Sequence, residues 1–164
     1  MISAIDTNIL LDILMEDESY MDRSKGLLLE SHEIGGLVIS PCVYTELYTC
    51  FHLGFGEKKA RQELDGFLFR TGIDLKPFTK RSLHIAGEAW TRYVKRKGKD
   101  RTVCPNCGEK NLIRCKKCEK TILWRNHIIT DFLIGGHAQN IADRFLTRDR
   151  GYYKKYFPDL EVVK

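Results

Sequence analysis

Short β-rich runs alternate along this chain with longer stretches of helical period, and an alternation of that kind folds into a parallel sheet covered by helices. The strand-like runs are Ile2 to Ile5, Leu37 to Ile39, a short one near Ile73 to Leu75, Phe145 to Thr147, and Leu160 to Val163. Helical pieces fall between them: Thr7 to Leu14, Tyr20 to Leu29, Pro41 to Leu53, Lys58 to Phe69, Lys80 to Lys97 and His127 to Ala138. Gly54, Gly72, Gly98 and the pair Gly135-Gly136 mark ends or close approaches. Within the helix from Lys80, the row Leu83, Ala86, Trp90, Tyr93 and Val94 predicts a core face.

Four carboxylates fall where a strand ends or a helix begins. Asp6 follows Ala4-Ile5, and Glu46 lies in a helix that Ser40 caps and Pro41 opens. Asp131 sits early in an apolar helix, and Asp149 closes Phe145-Leu146-Thr147-Arg148. Strand ends along one edge of an open parallel sheet converge on a crevice. Gathered there, these acids need a counter-charge, because two unit charges ~4 Å apart repel by about 4 kcal/mol at an effective dielectric of 20. Oxygen-only ligands suit Mg²⁺ or Mn²⁺, and such an ion orients or acidifies water for attack on phosphorus. Each acid also has an ordinary structural reading. Asp6 and Asp131 suit helix starts, Glu46 suits a solvent-facing turn, and Asp149 suits the turn before Gly151.

Two Cys-x-x-Cys pairs, Cys104/Cys107 and Cys115/Cys118, stand a few residues apart. Four thiolates at this spacing make a closed tetrahedral shell for Zn²⁺. The segment is too short and polar to bury a core of its own, so metal binding, ~10–16 kcal/mol in comparable zinc peptides, must fold it. A redox pair or disulfide is the competing reading for these cysteines. Basic residues crowd around them: Arg96, Lys97, Lys99, Arg101, Lys116, Lys117 and Arg125 are candidate RNA contacts, in a chain of net charge +5. Leu112, Ile113 and Trp124 would dock the ribbon or stack on bases. Cys42, Glu46 and Cys50 share a helix side, but free cysteine is usually a small buried hydrophobe. His127 lies one helical turn from Asp131 as a cap or contact, whereas His137 belongs to no recognisable constellation.

The pieces Ile5-Asp6-Thr7-Asn8-Ile9-Leu10, Thr45-Glu46-Leu47, Ile129-Thr130-Asp131-Phe132-Leu133-Ile134-Gly135-Gly136-His137-Ala138 and Leu146-Thr147-Arg148-Asp149-Arg150-Gly151-Tyr152-Tyr153, in this order, make the chain resemble the PIN-domain ribonucleases. Among these it is most similar to the compact VapC-type toxins of toxin–antitoxin pairs. The resemblance implies Mg²⁺- or Mn²⁺-dependent cleavage of single-stranded RNA, with Asp6, Glu46, Asp131 and Asp149 as the acidic quartet and Thr7, Asn8 and Thr147 as polar supports. It also implies a homodimer and an antitoxin whose tail covers the acidic site. PIN domains joined to zinc ribbons also occur in ribosomal RNA maturation, and a non-catalytic RNA-binding protein would keep the same fold.

The expected architecture is therefore an α/β, three-layer α/β/α fold with a central parallel sheet over residues 1–102 and 122–164, interrupted by a four-cysteine zinc ribbon at 103–121. A chain of 164 residues with 43% hydrophobic and 30% charged residues suits one soluble domain. No apolar run approaches the ~18 residues of a membrane span, and Asp6 and Asp12 interrupt the first apolar stretch. With four cysteines assigned to zinc, a reducing cytoplasm is the expected setting.

Overall fold

The computed structural model describes residues 1–96, 102–103, 110–111, 113–120, 129–149 and 151–164. The expected β-α alternation forms one five-stranded, wholly parallel sheet from β1 (Ile2–Ile5), β2 (Gly36–Ile39), β3 (Ile73–Leu75), β6 (Arg144–Leu146) and β7 (Glu161–Val163), in the order β3-β2-β1-β6-β7. Register is set by pairs such as Ala4 with Val38 and Ala4 with Phe145. The chain moves outward from β1 in one direction and later returns to its other side. The order therefore reverses between β1 and β6, where loops at the carboxyl ends part and leave a crevice.

Seven helices are described. They are α1 (Thr7–Leu14), α2 (Met21–Ile34), α3 (Pro41–Phe55), α4 (Glu57–Thr71), α5 (Lys80–Arg96), α6 (Ile129–Ile141) and α7 (Tyr152–Tyr156). Ser40 caps α3 by accepting from Val43 N, with Pro41 in the first turn, as its sequence predicts. The second helix runs five residues beyond the expected Leu29, because Leu28 and Ser31 continue its buried stripe until Gly35. Gly72 ends α4 in the left-handed region at φ 64°, where a side chain would be strained. Gly135 and Gly136 are close approaches within α6, not a helix end. A Cβ on Gly136 would lie 2.6 Å from Ser82 O, and one on Gly135 would lie 2.4 Å from the Phe157 ring.

One expectation for α5 needs correction. Its buried positions are Ser82, Ala86, Ala89 and Tyr93, while Leu83 and Val94 are 44% and 51% exposed. The stripe facing α6 is narrow and lined by small residues because Gly136 brings the two helices close, so larger neighbours one position away are turned outward. Between α5 and α6 lie the two-residue strands β4 (Thr102–Val103) and β5 (Lys110–Asn111), antiparallel to each other. They flank the first cysteine pair, and Cys104, Cys107, Lys97, Lys99, Arg101, Leu112, Trp124, Arg125 and His127 all lie outside the described residues.

The core runs along both faces of the sheet. Ile5, Leu37, Ile39, Phe145 and Leu146 are essentially inaccessible, and Ile9, Leu10, Leu47, Leu64 and Phe132 close over them from the helices. Phe132 sits at the centre of an aromatic cluster, with Trp90 4.9 Å and Tyr152 5.2 Å away in edge-to-face packing. Its neighbour in sequence is Asp131, so the packing that anchors Phe132 also fixes the helical turn that carries this acid. Tyr153 lies edge-on to Phe145 at 4.7 Å and seats α7 against β6.

Candidate active site

At the carboxyl edge of the sheet, beside the β1–β6 reversal, lies an open cavity of about 650 Å³. Asp6, Glu46, Asp131 and Asp149 all line it, together with Thr7 and Asn8. Four acids from separate stretches of the chain therefore meet in one hollow. Thr147 is fully buried and hydrogen-bonded to Asp6 beneath them.

Asp6 is the most enclosed of the four. It caps α1 by accepting from Thr7 N at 2.9 Å through Oδ1, so the structural role open to it is real. Its Oδ2 accepts from Thr147 Oγ1 at 2.6 Å and from Asn8 Nδ2 at 2.7 Å. Burial raises its pKa from 3.8 to about 6; the hydrogen bonds from Thr147 and Thr7 oppose this, and the negative charges of Glu46 and Asp131 add to it. Local field and solvent both favour a positive partner at this carboxylate.

The supports stitch the two loops together. Asn8 Oδ1 accepts from Arg148 N at 3.1 Å, while its amide nitrogen also reaches Thr147 Oγ1 at 3.2 Å. Thr147 Oγ1 in turn accepts from Asp149 N at 3.1 Å. Thr7 Oγ1 donates to Glu46 Oε2 and so pins the acid of α3 against the start of α1. Asp149 Oδ2 accepts from Gly151 N at 2.8 Å and Tyr153 N at 3.2 Å. It holds the turn into α7 and lines the cavity at once.

The donor set suits a hard cation, being wholly oxygen, with a raised proton affinity at its buried member. Among the described residues, however, no three His, Cys, Asp or Glu side chains are drawn tightly enough to enclose an ion by themselves. Oxygens on Asp6, Glu46 and Asp149 are engaged by neighbouring donors, so the arrangement fits an ion that keeps much of its water, as Mg²⁺ commonly does.

Other candidates fall elsewhere. Cys42 is half-buried, and desolvation together with the nearby Glu46 charge pushes its thiol pKa up, which disfavours a metal-binding thiolate. Cys50 lines a separate apolar hollow with Leu53 and Phe55. Arg96 ends α5 with its guanidinium 5.9 Å from the Tyr156 ring centroid. Lys116 and Lys117 are exposed in the turn between Cys115 and Cys118. His137 is a buried clamp: Nε2 lies 2.9 Å from Lys76 O, and the ring meets Phe78 edge-on.

Sequence reading missed a charged unit on the cavity wall. Arg148 Nη2 pairs with Asp12 Oδ1 at 2.7 Å, and its guanidinium stacks over Tyr20 at 4.1 Å. Asp12, only 2% exposed, also accepts from Ser24 Oγ at 2.6 Å. The one available signal was Asp12 itself, an acid inside the strongly apolar first helix.

A family description for the PIN domain matches residues 4–158. Solved structures similar over nearly the whole chain include VapBC-1 from nontypeable Haemophilus influenzae, at 15% identity and TM-score 0.65, covering 100% of this chain and 98% of that one. Another is VapBC2 from Rickettsia felis bound to a DNA fragment from its promoter, at 21% identity and TM-score 0.59, covering 99% and 98%. A third is Mycobacterium tuberculosis VapC20, a toxin that cleaves the sarcin-ricin loop, at 12% identity and TM-score 0.57, covering 97% and 98%. At these identities the likeness establishes shared fold. No curated protein matches the chain.

Proposed function

Because the chain belongs to the PIN-domain family, we propose that it is an Mg²⁺- or Mn²⁺-dependent endoribonuclease cutting single-stranded RNA, with Asp6, Glu46, Asp131 and Asp149 as its acidic quartet. The observation that carries this reading is the convergence of these acids, drawn from β1, α3, α6 and the loop after β6, on one open cavity. A divalent ion held there supplies positive charge to the scissile phosphate and acidity to water. The residues of the chain supply position. Thr147 and Asn8 orient Asp6, Thr7 holds Glu46, and the amides of Gly151 and Tyr153 hold Asp149. Hydrolysis in this arrangement leaves a 5′-phosphate and a 3′-hydroxyl.

The toxin reading, with an antitoxin partner and a homodimeric assembly, draws its support from likeness to VapBC complexes over nearly the full length. No helix among the described residues is long and apolar enough to cross a membrane, which fits a cytoplasmic enzyme.

Residues 103–121 form, in this reading, an inserted ribbon in which Cys104, Cys107, Cys115 and Cys118 hold a structural Zn²⁺. Support comes from the second pair. Backbone N–H groups of Cys118 and Lys117 hydrogen-bond to Cys115 and lower its thiol pKa, and amides turned toward sulfur favour the thiolate that zinc requires. The chain bends back through Glu119 at φ 56°, and Cys115 N donates to Lys120 O at 2.9 Å.

The deciding experiment supplies purified protein with single-stranded RNA and Mn²⁺. Wild type should cut, and Asp6→Asn and Asp131→Asn should not. Cutting that persisted in both variants, or in EDTA, would refute the assignment.

A further inference from the structure

Next to the acidic cavity lies a second hollow of opposite charge. It measures about 270 Å³ and is walled by Tyr20, Arg23, Ser24, Leu27, Arg148 and Lys164. These residues come from the start of α2, the loop after β6 and the position following β7, so the hollow opens on the same edge of the sheet as the acids. Three of its walls are cations and none is an acid. The nearby Asp12 is buried and paired with Arg148, which leaves Arg23 and Lys164 exposed on the far side.

Arg148 belongs to both hollows. Asp12 and the Tyr20 ring hold its guanidinium in place, and Ser24 holds Asp12. Its Nε is buried and finds no acceptor among the described residues. A fixed guanidinium at a boundary, flanked by two long flexible cations, is suited to a phosphate oxygen: the planar fork is already ordered, and the neighbouring like charges repel until an anion separates them. The hollow is too small and too polar for an apolar segment of another protein.

We propose that this second hollow is a phosphate subsite, seating a backbone phosphate of the RNA strand adjacent to the one brought to the acids. The inference rests on the nuclease reading for what crosses the acidic cavity. Four carboxylates repel a nucleic-acid backbone, and a cationic seat beside them offsets that repulsion. Because the seat lies at a fixed distance from the acids, it also sets which linkage of a bound strand is presented for cutting.

The test measures binding of a labelled single-stranded oligouridylate in EDTA, where no cutting occurs. Wild type should bind with strong salt dependence. The double variant Arg23→Ala/Lys164→Ala should bind roughly tenfold more weakly at low salt, with a log–log salt slope shallower by about 1.4, from ~0.7 per lost phosphate contact on a single strand. Lys58→Ala/Lys80→Ala removes the same charge from exposed positions on α4 and α5 and should leave the slope near that of wild type. Circular dichroism checks that each variant folds.

Equal effects of the two double variants, or no wild-type binding, would overturn the subsite. A double variant that lost affinity for inorganic phosphate but not for oligouridylate would also overturn it, assigning the hollow to a free anion. Mn²⁺-dependent cutting with binding unchanged in Arg23→Ala/Lys164→Ala would remove this inference and leave the nuclease standing. Selective loss of binding in a protein that cuts nothing would do the reverse.

Discussion

Thr147 Oγ1 donates a 2.6 Å hydrogen bond to Asp6 Oδ2 between residues 141 positions apart. The bond favours the ionised carboxylate against the burial that opposes it. Thr147→Val should therefore raise the Asp6 pKa further and weaken Mn²⁺ binding by about 1.5–3 kcal/mol, the usual worth of a hydrogen bond to a charged group. Thr147→Ser should stay close to wild type. Calorimetric titration with Mn²⁺ at neutral pH separates the two.

The raised Asp6 pKa has a consequence for stability in EDTA. Its folded value of about 6 lies above the 3.8 of the unfolded chain, so the folded state takes up the proton first as pH falls. Asp6 alone should then increase stability as pH drops from about 7 toward 4, by at most about 1.4 kcal/mol per pH unit. Asp6→Asn should remove that rise and be more stable than wild type at pH 7. Urea melts across this range measure it, and a metal-free Asp6→Asn less stable than wild type at pH 7 would contradict it.

His137 acts in the opposite direction. Burial depresses its pKa below 6.5, only partly offset by its bond to Lys76 O. The unfolded chain therefore protonates first, and stability from His137 should be lost as pH falls below 6.5. His137→Gln should flatten this acid-side loss while Asp6→Asn flattens the gain. A double variant whose urea midpoint barely changes between pH 7 and 5 would show that the two groups account for the window.

Close helix packing makes Gly136 intolerant of even a methyl group. Gly136→Ala meets the backbone of Ser82 and Ala86 N, both under 3.0 Å, and should cost about 1–3 kcal/mol. Gly26, inside α2, has no atom within 4 Å of an added Cβ, so Gly26→Ala should stabilise by up to about 1 kcal/mol. Thermal melts of the pair distinguish helix propensity from packing.

For the cysteines, the expected outcome is stoichiometric zinc in purified protein, lost in Cys115→Ser and in Cys104→Ser alike. Loss of the metal should open the segment between α5 and α6 to protease while the melting of the remainder changes little. Elemental analysis and limited proteolysis test both. Zinc retained by either variant would count against a four-thiolate site.

Much of the frame was legible because it rests on local pattern. The limits of α1 and β1, the cap at Ser40 and the acids at strand ends all follow from neighbours in sequence. The five-residue helix α7 was not, since Tyr152-Tyr153-Lys154-Lys155-Tyr156 is too short to display a period and is held by Phe132 and Phe145 from elsewhere. The core row on α5 was misplaced because the deciding residue, Gly136, lies on another helix. Arg148 with Asp12, Ser24 and Tyr20 escaped notice for the same reason: charge pairing across the sheet leaves no trace in spacing. The acids were found by their positions, but their hydrogen bonds to Thr7, Asn8 and Thr147 express tertiary geometry.

The sheet order bears on how such a protein is made. Because β6 lies directly beside β1, Asp6 acquires Thr147 and meets Asp149 only after the segment that follows α6 has left the ribosome. For most of translation the nascent chain has no completed pocket, so a chain able to destroy RNA would become dangerous to its own synthesis only near the end.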